Sequence, residues 1–373
     1  MKILFTGGGT GGHIFPIIAI VRELKRISPE RKTAFFYLGP KDNFGKMLLS
    51  KEGIRVRIIS SGKLRRYLTL KSLFQNIFDL FFRIPIGILE SFFYIFILAP
   101  DLIFSKGGYG SIPVVIAGKI LGVPIFLHES DTVPGFANRF LARFALEVFV
   151  SFPNTPGFPK KKMILVGNPI RRELLEGKSE EAMAFFGLSG EKPVVLILGG
   201  SQGAQRISDR ILEILPKILK DFELIHQCGQ KNFQQVKAEA EVVIDKKMAK
   251  FYHLFPFLDE EELKKAYAVS DIVVGRAGSG FIFEIAALGK PSILIPLPES
   301  AQEHQIKNAY TFAKNGATVV LEEENFTAHF FLERLKFLLS NRQGLERMSL
   351  VAKEFARPRA GQIIAEYIIE YLK

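Results

Sequence analysis

Short apolar runs that close on glycine, helical periodicity after most of them, and a second start of the same pattern halfway along predict an α/β chain of two Rossmann-like halves. The runs cover residues 2–6, 34–38, 102–104, 125–127, 194–198, 272–274 and 292–295. Each is predominantly apolar without alternation, as expected of parallel strands covered on both faces. Helical spacing follows, as in Ile17, Ile18, Ile20, Val21 and Leu24, so strands alternate with covering helices. Leu196-Ile197-Leu198-Gly199-Gly200-Ser201 then repeats the opening Leu4-Phe5-Thr6-Gly7-Gly8-Gly9.

Length agrees, since 373 residues exceed one ordinary core and suit two domains of roughly 150–200 residues. A boundary is expected where Pro153, Pro156, Gly157, Pro159, three lysines and Gly167-Asn168-Pro169 cluster, giving domains 1–167 and 168–349. With Cys228 as the lone cysteine, no disulfide can form within the chain. That, with no secretory leader in view, points to a reducing compartment. Residues 1–167 hold 23 Lys+Arg against 10 Asp+Glu, whereas the remainder is close to neutral. One domain alone should therefore face an anionic partner. The longest apolar stretch, 84–99, is interrupted by Pro85, Gly87, Glu90 and Ser91. It falls short of the roughly 20 residues of a spanning helix and reads as a buried one.

The chemistry gathers in loops at strand ends, where open α/β sheets bind ligands. Gly7-Gly8-Gly9-Thr10-Gly11-Gly12-His13 lies between a strand and a helix. Its glycines let backbone approach a phosphate, and the helix N-terminus offers free N–H groups. As a G-x-G-x-x-G match it is weak, because the acidic residue of a dinucleotide site is not in place. Gly199-Gly200-Ser201-Gln202-Gly203-Ala204 is a second such loop, and two together would suit a diphosphate substrate. In Gly275–Glu284 the carboxylate of Glu284 is either a helix cap or an acceptor for paired ribose hydroxyls. His304, Gln305 and Asn308 follow the next strand. No Asp-x-Asp pair, zinc spacing or P-loop occurs, so no metal and no cofactor is expected. The aromatics are mostly Phe in apolar runs, which disfavours nucleic acid as partner.

Gly8-Gly9-Thr10-Gly11-Gly12-His13, Gly107-Gly108-Tyr109, His128-Glu129, Val166-Gly167-Asn168-Pro169-Ile170-Arg171, Gly199-Gly200-Ser201-Gln202-Gly203-Ala204 and His304-Gln305 with Asn308-Ala309 stand in order along the chain. This combination resembles the peptidoglycan N-acetylglucosaminyltransferases that convert lipid I to lipid II, the MurG family, over about residues 1–370. The resemblance implies a GT-B fold whose C-terminal helix, 350–373, returns to the first domain. It implies inverting transfer of GlcNAc from UDP-GlcNAc to the 4-hydroxyl of MurNAc-pentapeptide-pyrophosphoryl-undecaprenol, at the cytoplasmic face of the plasma membrane. By position, Glu284 would hold the donor ribose, and Arg171, Ser201 and Gln305 would contact the donor, as would Gly280, Phe281, His304 and Asn308. Leu258 would lie beside the uracil, and Thr10, Gly11 and Gly12 would face the diphosphates. The chain departs from the family at Ser130-Asp131, where Gln-Asn is usual, which puts an amide contact at Asp131 in question. Phe281 and Phe283 are bulkier than usual and would reshape the sugar pocket. Another UDP-sugar enzyme of the same fold, such as a UDP-GlcNAc epimerase or a glycolipid synthase, is the alternative.

Inversion in one displacement needs a base for the acceptor hydroxyl and stabilisation of the departing UDP. His13 is the expected base or orienting group and Glu129 its rival. For the membrane, Leu70, Phe74, Ile77, Phe78 and Phe81 follow the spacing of one helical face beside Lys63, Arg65, Arg66 and Lys71. That face is either core or, given a lipid-linked acceptor and the basic excess, inserted in an anionic leaflet.

Overall fold

A computed structural model describes residues 1–9, 11–63, 65, 69–200 and 203–373. The chain forms two compact units, Met1–Arg171 with Arg357–Lys373, and Arg172–Ala356. The first carries 27 Lys+Arg against 12 Asp+Glu and the second 23 against 26.

The N-terminal unit holds seven strands: β1 (Lys2–Thr6), β2 (Ala34–Gly39), β3 (Arg55–Ile58), β4 (Leu102–Ser105), β5 (Ile125–Glu129), β6 (Glu147–Val150) and β7 (Met163–Leu165). All pair in parallel, in the order β3-β2-β1-β4-β5-β6-β7. In the C-terminal unit β8 (Val194–Leu198), β9 (Glu223–Gln227), β10 (Tyr252–Phe255), β11 (Ile272–Gly275), β12 (Ser292–Leu294) and β13 (Val319–Val320) form a second parallel sheet, β10-β9-β8-β11-β12-β13. In each sheet the chain walks outward from its first strand and then returns to that strand's other side. The reversal leaves a crevice at the carboxyl ends of β1 and β4, and of β8 and β11. Thr6 pairs with Ser105 there, and Leu198 with Gly275.

Helices on both faces close each core. Ile17, Ile20 and Val21 of the helix Gly11–Ile27 pack with Ile364 and Ile368 of the C-terminal helix Ala360–Tyr371 over one face of the first sheet. Val114 and Val115 of the helix Ile112–Ile120 cover the other. The return to the first unit begins at Arg357 rather than at residue 350. Residues 350–355 finish the helix Arg342–Phe355, whose Phe355 ring packs on Phe283 and Phe312 of the second unit. Likewise the first division falls after Arg171, not after 167, because the guanidinium of Arg171 lies 4.1 Å over the ring of Phe15.

The stretch 84–99 corrects the expectation of burial. Leu70–Phe78, a π-helical turn Asp79–Arg83 and Ile84–Leu98 run on as one 29-residue helix, long and apolar enough to cross a membrane, with only 17 % of its most apolar window buried. Its polarity is inverted. Ser72, Asp79, Gly87, Ser91 and Ile95 face the unit, while Phe74 and Leu89 are each 70 % exposed. Gly87 is required by close approach, since a Cβ there would stand 2.0 Å from the Ser60 carbonyl oxygen. Asp79 is buried and answered by Arg65 at 2.7 Å and Arg83 at 3.1 Å. Arg65 is therefore tied to the helix and is not a free cation for lipid. Arg66, with Leu64, Tyr67 and Leu68, lies outside the described residues.

Candidate functional site

In the N-terminal unit the ends of β1, β4 and β5 bring together His13, Lys106, Glu129 and Asp131. Gly11, Gly12 and His13 form the first turn of the helix Gly11–Ile27, and Tyr37 Oη donates to the Gly7 carbonyl at 3.1 Å to fix the loop before it. The His13 ring lies between two glycines. A Cβ on Gly8 would come within 2.7 Å of its ring, and one on Gly108, at φ +82°, within 2.9 Å of Nε2. Only glycine fits either place. Burial and the Lys106 ammonium push the His13 imidazolium pKa down to about 3, against a smaller opposing pull from Asp131. His13 is thus neutral over the physiological range.

Glu129, at the end of β5, faces its own loop. Its carboxylate accepts from Asp131 N at 3.0 Å, Gly135 N at 3.1 Å and Asn138 Nδ2 at 2.8 Å. Burial and the neighbouring Asp131 raise its pKa above the usual carboxylate range, while those hydrogen bonds and Lys106 pull the other way. His128 is buried, with Nε2 3.0 Å from the Gly167 carbonyl oxygen. Burial, then Lys106, holds its pKa well below the ordinary histidine value. Arg171 also belongs to this unit, stacked on Phe15.

In the C-terminal unit Gly280, Phe281, Glu284, Gln305 and Asn308, expected on the donor side, lie around β11 and β12. Glu284 stands in the second turn of the helix Ser279–Leu288, whose N-terminus has no side-chain cap. The Glu284 carboxylate accepts from Tyr267 Oη at 2.9 Å, and Tyr267 is buried. Gly280 and Phe281 begin the same helix, and the Phe281 ring lies under the end of β11, 2.9 Å from where a Cβ on Gly275 would stand. Phe283, expected to reshape a sugar pocket, is buried against Phe355 and belongs to the core.

His304, Gln305 and Asn308 lie along one helix, His304–Ala313. Gln305 Oε1 accepts from Leu297 N at 3.0 Å, and buried Asn308 donates to the Ala277 carbonyl at 3.4 Å, so both tie neighbouring loops together. The Leu258 side chain is buried at 2 % exposure, whereas its neighbour Phe257 is 37 % exposed. Arg276 pairs with Glu323, which also receives Arg206 at 2.7 Å. Thr10 and Ser201 lie outside the described residues. Among the described residues no group of His, Cys, Asp or Glu is placed to hold a metal ion.

Lys106 and Tyr267 escaped the reading of the sequence. Tyr267 bonds Glu284, and the Lys106 charge acts on His13 and Glu129, each across a gap in sequence, and neither belongs to a spaced motif. A lysine between the apolar end of β4 and Gly107-Gly108 was the visible signal for the first.

The chain's two-domain make-up is matched by known proteins. A glycosyltransferase family 28 N-terminal domain matches residues 3–150 and a family 28 C-terminal domain residues 194–363. A Bacillus cereus protein named UDP-N-acetylglucosamine–N-acetylmuramyl-(pentapeptide) pyrophosphoryl-undecaprenol N-acetylglucosamine transferase 2 is 39 % identical over 371 residues, 99 % of both chains. A Clostridium tetani protein of the same name without the numeral is 40 % identical over 344 residues, covering 92 % of this chain and 91 % of its own. Among solved structures, Acinetobacter baumannii MurG superposes with a TM-score of 0.72 at 27 % identity, over 99 % of each chain. A Neisseria meningitidis UDP-GlcNAc 2-epimerase shares the fold alone, with a TM-score of 0.69 at 16 % identity over 99 % of this chain and 100 % of its own. With both domains matched in order and two full-length relatives at this identity, the chain belongs to glycosyltransferase family 28, among the UDP-N-acetylglucosamine–N-acetylmuramyl-(pentapeptide) pyrophosphoryl-undecaprenol N-acetylglucosamine transferases.

Proposed function

We propose that this protein transfers GlcNAc from UDP-GlcNAc to the 4-hydroxyl of MurNAc-pentapeptide-pyrophosphoryl-undecaprenol, with inversion. The observation that carries the reading is 39 % identity across 99 % of a relative bearing that transferase's name. The C-terminal unit supplies the donor site in this reading. Glu284, aimed by Tyr267, accepts both ribose hydroxyls, and the loops held by Gln305 and Asn308 frame the nucleotide. The N-terminal unit supplies the acceptor side. There the neutral imidazole of His13 takes the hydroxyl proton as the new C–O bond forms. An anionic diphosphate drawn up beside the ring favours the imidazolium and restores the basicity that burial removes. Helix N-termini and glycine-loop N–H groups offset the charge that develops on the departing UDP.

Product analysis with UDP-GlcNAc and a soluble lipid I analogue tests the assignment. Formation of the disaccharide product is the expected result. Conversion of UDP-GlcNAc to its 2-epimer without transfer would overturn it in favour of the epimerase reading. We also infer that the protein sits peripherally on the cytoplasmic leaflet. The inverted helix Leu70–Leu98 would lie in an anionic surface, while the ion pairs of Asp79 keep its polar face on the unit.

A further inference from the structure

Lys106 stands at the end of β4 with 2 % exposure, and no step of the proposed transfer uses it. Burying an ammonium is costly unless its charge is answered and it is hydrogen-bonded; this one is hydrogen-bonded and faces the carboxylates of Glu129 and Asp131. Its Nζ donates to Ser130 Oγ, and Ser130 Oγ donates onward to Asn168 Oδ1 at 3.2 Å. The cation thus ties the ends of β4 and β5 to the segment after β7. Its stem runs beside His13, since a Cβ on Gly7 would stand 3.3 Å from the Cβ atoms of both. The titratable groups that face it are Glu129 and His128 of β5, Asp131 of the following loop, and His13.

We propose that Lys106 is a positioning residue for the transfer: its ammonium clamps the Ser130–Asp131 turn and supplies the positive charge around which His13, Glu129 and Asp131 are arranged to receive the acceptor hydroxyl. The inference rests on the transferase reading of this site. It makes Ser130-Asp131 and Lys106 one unit, so that a hydroxyl and a carboxylate after Glu129 go with a buried lysine after β4.

The direction of its effect follows from charge. A facing cation lowers the pKa of a titrating group and a facing anion raises it. Lys106 lowers, and Asp131 raises, both His13 and Glu129. Whichever of these two takes the proton, Lys106→Met moves the acid limb of kcat/KM to higher pH and Asp131→Asn moves it to lower pH. Each shift is expected to be about one pH unit, and the double variant returns to within about half a unit of the parent. Titration of the His13 ring by NMR follows the same opposed shifts without any turnover. Should Lys106→Met not fold, Lys106→Gln and Asp131→Asn carry the same test. Opposed shifts in the two readouts support the proposal. Unmoved limbs with an unmoved His13 titration, or shifts of the same sign in both variants, overturn it, because a lysine that merely fills space would change Tm and rate alone. A parent enzyme that makes no disaccharide overturns the transferase reading instead, and the His13 titration still decides the Lys106 arrangement.

Discussion

The two units share one strand order and differ in what fills the carboxyl ends of their strands. In the N-terminal unit a buried cluster of ionisable groups stands there: Lys106, Glu129, His128 and the partly buried His13. Around β11 and β12 the C-terminal unit instead places side chains that tie loops, with Asn308, Gln305 and Arg276 each holding a neighbouring carbonyl or amide, and one carboxylate, Glu284, aimed by a tyrosine. A scaffold used twice carries a buried cluster of ionisable groups in one copy and loop-tying side chains in the other. The fold is common to both, and the difference lies in the loops.

That division of labour can be broken at the membrane first, where the largest effect is expected. Replacing exposed Phe74 and Phe81 by Ser in the full chain should abolish sedimentation with anionic liposomes. Each Phe contributes about 1.5–3 kcal/mol of burial when inserted, and neither is needed by the core of its own unit. Binding by the parent should weaken with salt. Undiminished sedimentation of the double variant would move the anchor elsewhere.

His13→Ala comes next, with turnover falling about 10²-fold or more and UDP affinity nearly unchanged. Near-normal turnover would pass the base role to Glu129, despite the three donors that engage its carboxylate. Glu284→Ala should do the opposite, weakening UDP binding by roughly 30-fold or more through the loss of charge-assisted hydrogen bonds. Calorimetric titration with UDP measures it, and an unchanged Kd would sink the ribose assignment. Tyr267→Phe is the smallest, about fivefold in UDP affinity, or about 1 kcal/mol for one hydrogen bond. A loss as large as that of Glu284→Ala would mean that Tyr267 supports the fold of the pocket rather than the aim of one carboxylate.

Much of this architecture was legible in the sequence. β1 and β8 were readable to the residue because each has an apolar centre and closes on glycine. β9 was not, because Glu223, His226 and Gln227 lie within it and are buried nonetheless. Ser189 and His253 satisfy Glu223, and Tyr252 with Ser208 satisfies His226. Periodicity records polarity and is blind to partners 18–34 residues away in the chain. The same limit hid the inverted helix, since an apolar segment reads alike whether it fills a core or faces lipid. Its direction is set by Ser72, Asp79, Gly87 and Ser91, small or paired residues that let it lie against the unit. At the site, the glycine loops and His13 announce themselves locally. Lys106 and Tyr267 matter only through groups that the fold brings to them.

The return of residues 357–373 to the first unit sets an order on folding during synthesis. Ile364, Ala365 and Ile368 complete the core over β1, yet the ribosome makes them only after the whole of 172–356. At about 5–20 residues per second that interval lasts roughly 10–40 s. Throughout it the N-terminal sheet lacks one of its covering helices, while the uninterrupted C-terminal unit has its full complement of chain. The second unit made is therefore the first able to finish. A nascent chain stalled before Arg357 would present an unsealed apolar sheet, a natural station for a chaperone.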